Sequence, residues 1–212
     1  GFISAGNSTI PGSLNLNGFD QTVASVRRGP YGARNAVTVT GTNNRCFTVN
    51  YNGVTPLLYD GLITGAMCLG KDGTGTLELT GQNTYSSGTQ IRSGTLRAGT
   101  GTTGTITNGP VGVGLVQIND GTVFDIGDNI IVLPMLSMSG GQLLMNNGTL
   151  IYGGGAVQSM LATSGVSGPS RITSTGTGAF TLGTTAKFMT VSRGTAAVDL
   201  SSLPHRRFRA RL

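Results

Sequence analysis

Eight carboxylates are the groups that acid–base chemistry could draw on here: Asp20, Asp60, Asp72, Glu78, Asp120, Asp125, Asp128 and Asp199. Cleaving a polysaccharide takes two carboxylates across the scissile bond, or carboxylate-held calcium with a basic residue beside it. Asp125 and Asp128 are the best local pair, with Asp120 close by. However, Asp120 belongs to an Asp-Gly turn dipeptide, and Asp125 alternates with Phe124 and Ile126 as an outward side chain on a strand would. Solvated corners are therefore expected, and no catalytic residue is assigned. Serine chemistry needs a histidine, and the single one, His205, lies in a basic terminal stretch.

Cys46 and Cys68 lie 22 positions apart (68 − 46), near the length of one turn of a repeat. In a solenoid that spacing sets two side chains over each other. Both a disulfide and an interior stack of two small buried side chains fit it. Two cysteines without a nearby histidine make a poor metal site, and no metal is expected. The run Gly99-Thr-Gly-Thr-Thr-Gly104 lacks the Gly-Lys-Ser/Thr ending and the following helix of a phosphate loop, so no cofactor is expected either.

The formal net charge is +6, and arginine carries most of it. The basic residues gather at Arg27-Arg28 and at Arg206, Arg207, Arg209 and Arg211. The plain reading is a solvated edge; the sharper one is a docking patch for an acidic glycan or a partner subunit. No nucleic-acid-binding motif accompanies them, and nucleic acid is not an expected partner. No stretch is long and apolar enough for a transmembrane helix, so this segment is not expected to insert into a membrane. Gly1 is not an initiator and no leader precedes it, so the chain is expected to be a piece of a longer protein or a matured product.

These residues need elements to position them. With 36 glycines interrupting every stretch of helical length, long helices have no room, while Thr, Val and Ile favour strands. Apolar residues two apart, with a polar one between, recur at Leu14–Leu16, Val37–Val39, Leu77–Leu79, Val116–Ile118, Phe124–Ile126 and Phe180–Leu182. Turn pairs separate them, among them Asn17-Gly18, Asp72-Gly73, Asn108-Gly109, Asp120-Gly121 and Asn147-Gly148. Two loose echoes point to repetition: Gly73–Gly81 with Gly176–Gly183, and Ser93–Arg97 with Asn147–Ile151.

One stretch, Lys71 to Gly99, is far more specific. Its Gly75-Thr-Leu-Glu-Leu-Thr-Gly81, Asn83-Thr-Tyr85, Gly88-Thr89 and Gly94-Thr-Leu96 closely resemble the autotransporter-associated β-strand repeat of bacterial surface-protein passenger regions. Weaker likeness extends over about residues 14 to 127. The resemblance implies an all-β, right-handed parallel β-helix, exported and displayed at the bacterial surface or outside the cell. It implies a structural role as stalk, adhesin segment or filament subunit, with a carbohydrate-active or glycan-binding β-helix as the alternative. A second copy, neighbouring coils of a longer parent, or a glycan or host surface would be its partners.

Alternation puts Leu77 and Leu79 inside and Glu78 outside. Asn83 is expected to ladder with polar side chains one coil away, and Gly73, Gly75, Gly81, Gly88 and Gly94 to allow positive-φ corners and close approach between coils. The whole chain, 1–212, reads as one solenoid whose best-matching repeat is 71–99, with a variant cap or interaction region at about 153–212. Coils of roughly 20 residues would give roughly ten of them in a rod of roughly 45–50 Å.

Overall fold

A computed structural model of the chain describes residues 2–4, 12–27, 38–99, 105–107, 111–153, 158–163, 165–182 and 187–191. Every strand pairing within them is parallel. The strands stack in columns, so the chain winds as a β-solenoid. Its first face is a nine-stranded sheet that includes Thr38–Asn50, Ile63–Asp72, Thr89–Ile91, Leu115–Ile118, Met135–Ser139, Gln158–Thr163 and Lys187–Val191. The second is six-stranded: Leu57–Tyr59, Thr76–Leu79, Thr95–Ala98, Val123–Gly127, Gln142–Met145 and Arg171–Ser174. The third is four-stranded: Thr105–Thr107, Ile130–Leu133, Thr149–Tyr152 and Ala179–Leu182.

Alternation along each strand decides what faces inward. Buried and half-buried residues alternate strictly in Thr76–Leu79, Thr95–Ala98, Leu115–Ile118 and Ile130–Leu133. Because pairing is in register, inward residues of successive coils fall on one another. Leu57, Leu77, Leu96, Phe124 and Leu143 form one such column on the second face. All five are buried in a single continuous core. Each fully buried Leu or Phe is worth about 1.5–3 kcal/mol of transfer free energy, and a column repeats that gain once per coil.

The solenoid has about six turns, the depth of its second face, rather than ten. Steps along the pairs Leu57↔Leu77, Leu77↔Leu96, Leu96↔Phe124, Phe124↔Leu143 and Leu143↔Ile172 are 20, 19, 28, 19 and 29 residues. Two coils thus carry extra chain at a corner without disturbing the stacking, and six turns at the inter-strand spacing rise about 30 Å. The two sequence echoes also resolve differently from coil repeats. Gly94-Thr-Leu96 opens a strand of the second face, whereas Gly148-Thr-Leu150 opens one of the third. Thr76-Leu77 and Ala179-Phe180 are offset in the same way. What recurs is a corner-plus-strand unit used on different faces.

One strand departs from regularity. In Thr38–Asn50 the register slips between Gly41, opposite Gly65, and Arg45, opposite Met67. Thr42, Asn43 and Asn44 bulge outward there, against the single residue Ala66 on the next coil. Gly65 allows the fold at this point. Its φ is +97°, and a Cβ on it would strike the Gly41 carbonyl oxygen, so only glycine fits.

Candidate functional site

The repeat stretch is where polar groups enter the core. On the first face, the inward column Phe47–Leu69–Thr89–Val116 contains one hydroxyl, and Val49–Lys71–Ile91–Ile118 contains one amine. Lys71 and Thr89 are both fully buried. The Lys71 stem fills its slot between Val49 and Ile91, and its Nζ donates to the carbonyls of Asp72 (2.7 Å), Gly73 (2.7 Å) and Ser93 (3.0 Å). These acceptors lie on two successive coils, so the ammonium fastens their corners together. Burial lowers its pKa from 10.5 to about 8, against a smaller opposing pull from Asp72.

Thr89 anchors a second fastening. The Tyr85 hydroxyl and Thr89 Oγ1 are 2.6 Å apart, and Thr89 Oγ1 donates to the Val111 carbonyl at 3.0 Å, one coil on. Since Thr89 gives its hydrogen to that carbonyl, Tyr85 donates to Thr89. Burial above all holds the Tyr85 phenol well above its ordinary range. Asn83 is buried too. Its Oδ1 accepts the Ile63 backbone N–H of the preceding coil at 2.8 Å. The chain turns a corner at Asn83, leaving that amide without a strand partner, and a side-chain carbonyl replaces the missing ladder bond. Asn129 has the matching role further along the stack, donating Nδ2 to the carbonyls of Ala98 (3.1 Å) and Ile126 (2.9 Å).

Gly73, Gly88 and Gly94 take left-handed backbone as expected. Gly75 and Gly81 serve the expected close approach between coils instead, since a Cβ on them would strike the carbonyls of Gly53 and Gly61. Alternation already pointed Lys71 inward from Leu69. A lysine in a core contradicts its usual place, and that prior hid the signal.

The described carboxylates are bound to basic, amide or backbone partners. Asp125 meets Arg97 Nε at 2.9 Å, and Arg97 also reaches Glu78 at 3.8 Å, giving an outward ladder over three coils of the second face. Asp128, at a corner, accepts from the Asn147 N–H (3.0 Å) and from the side chains of Asn146 (2.7 Å) and Asn147 (3.1 Å). The Asn147 backbone bond above all holds its pKa below the usual carboxylate range. Asp120 receives the Ser167 N–H and hydroxyl across 47 positions, holding the 165–170 loop over its coil. Asp20 accepts the Cys46 N–H at 2.8 Å, and Asp72 pairs with Arg92 at 3.5 Å. Asp125 and Asp128 thus spend their oxygens on different partners, Arg97 and the Asn146–Asn147 corner. No group of three or more His, Cys, Asp or Glu able to hold a metal occurs among the described residues. Asp199, His205, Arg28, Arg206, Arg207, Arg209, Arg211, Val37, Asn108 and Gly109 lie outside the described residues.

Cys46 and Cys68 stand opposite each other in register, Cα atoms 4.5 Å apart, joined as a disulfide between adjacent coils. The bridge lies directly after the bulge, whose Asn44 accepts the Ser87 hydroxyl at 2.7 Å.

The stretch whose residues fasten coil to coil in this parallel solenoid resembles the repeat of autotransporter passengers. Residues 69–98 match the passenger-associated-transport-repeat family. Over 168 residues, 78% of this chain, the sequence is 32% identical to the "Adhesin BmaC autotransporter" of Brucella suis biovar 1 (strain 1330). The chain spans about 4% of that relative's length. No solved structure matches it.

Proposed function

We propose that this chain is a surface-displayed segment of an autotransporter passenger, a rigid spacer within an adhesin rather than a catalyst. One observation carries the reading: within the passenger-repeat stretch, Lys71, Asn83 and Thr89 spend polar groups on neighbouring coils, and Tyr85 holds Thr89 in place. The relative named as an adhesin supports the adhesive setting. An open parallel edge also invites further coils, so continuation into the parent chain or end-to-end stacking of copies are the matching partners.

The test is an epitope inserted at Val54, fully exposed in a loop, within the parent protein. Antibody should label intact cells. Labelling only after permeabilisation would sink the display reading. Electron micrographs of concentrated protein test stacking, and dispersed single rods would remove it.

A further inference from the structure

Asn17, Asn43 and Asn44 are the three non-glycine residues with positive φ among those described, at 49°, 59° and 57°. All three lie at one place. Asparagine takes left-handed backbone more readily than other non-glycine residues, so three of them together mark a local shape that the sequence specifies. The turn at 17–20 rests on the 42–45 bulge of the next coil. A Cβ on Gly18 would lie 3.0 Å from Asn43 Nδ2. Asp20 takes the Cys46 N–H and faces Arg45 at 3.6 Å. Between them stands Phe19, 65% exposed and the only aromatic among the exposed large hydrophobics of the described residues. The side-chain amides of Asn17 and Asn43 have no partner among the described residues. The Cys46–Cys68 bridge and the Ser87–Asn44 bond pin the bulge from the following coils.

We propose that this ridge is a saccharide-binding site, with Phe19 as the platform for the apolar face of a pyranose ring and Asn17, Asn43 and Arg45 as hydrogen-bonding groups for its hydroxyls. An aromatic face attracts the slightly positive C–H bonds of a sugar, while amides and a guanidinium offer planar pairs of donors and acceptors to vicinal hydroxyls. A pre-shaped backbone lowers the ordering cost of binding. Asp20 offsets the Arg45 charge, which disfavours a phosphate backbone. Exposed amides replace the dry apolar surround that a protein hot spot needs. The proposal rests on the displayed-passenger reading only in that the ridge must be presented outside the cell.

The full chain is applied to a printed array of mammalian and plant oligosaccharides, alongside Phe19→Ala and Asn43→Gly. Glycine accepts left-handed backbone freely, so Asn43→Gly deletes the amide while keeping the bulge. The expected result is binding of at least one saccharide class, weakened tenfold or more in both variants, with circular dichroism and melting unchanged. Binding to no saccharide, or equal binding by both variants, overturns the proposal. So does attachment of displaying cells that needs Phe19 yet survives glycosidase treatment of the target, because the ligand is then a protein. The array reads the ridge in purified protein and the surface labelling reads display, so either can fail alone.

Discussion

Lys71 makes stability depend on alkaline pH in a defined direction. Its pKa falls from 10.5 to about 8 in the fold, so between those values the unfolded chain holds a proton that the native chain has lost. Stability therefore rises with pH above about 8. Tyr59 and Tyr85 act oppositely: burial raises both from 10.0, so their contribution is complete below pH 10 and is lost above it. Urea melts should show stability climbing from pH 8 toward 10 and falling beyond, and Lys71→Met should abolish the climb. Thr89→Val keeps the shape but strands the Tyr85 hydroxyl and the Val111 carbonyl, costing about 1–3 kcal/mol in the same melts. Sequence reasoning reached neither the burial of Lys71 and Thr89 nor their partners. Asn83 was legible as a corner residue because its amide suits that task. Its acceptance of the Ile63 amide follows from the coil-to-coil step, which no local pattern states.

At the scale of the element, strand alternation was readable and strand irregularity was not. Leu77, Glu78 and Leu79 face as their order requires, and so do Phe124, Asp125 and Ile126. The bulge at 42–45 depends on an insertion relative to a neighbour 22–24 residues away, and nothing within Thr-Asn-Asn-Arg declares it. Gly65 is its fixed point. Gly65→Ala drives a Cβ into the Gly41 backbone and should prevent soluble folding. Gly121→Ala should cost only about 1–2 kcal/mol for left-handed backbone, since its Cβ would meet nothing closer than 3.9 Å. Soluble yield and thermal melting of the two variants test this contrast. The disulfide beside the bulge spans 22 residues, so replacing both cysteines with serine should cost about 3 kcal/mol by loop entropy. A denaturant titration of that variant under oxidising conditions measures it.

The described coils behave nearly as a one-dimensional stack, because strands pair only with those of adjacent coils, while the Ser87–Asn44 and Ser167–Asp120 bonds reach one coil further. Removing everything after Gly153 should leave the earlier coils folded with a lower melting temperature. Deleting 71–99 should destroy the cooperative transition, since it takes out Lys71, Asn83, Tyr85 and Thr89 together. Far-ultraviolet dichroism during heating distinguishes the outcomes. The expectation of ten coils failed at this scale: extra chain in the 28- and 29-residue steps adds length in sequence and none along the axis. A different consequence follows from Cys46 and Cys68. Joining one coil to the next closes a covalent hoop around the axis, and tension applied along the chain bypasses whatever lies inside it. In a pulling experiment the coils should unspool one after another, and full extension should fall short by roughly 75 Å for the sequestered residues. A reducing agent should restore that length, making the rod a tether whose reach depends on whether its hoop is closed.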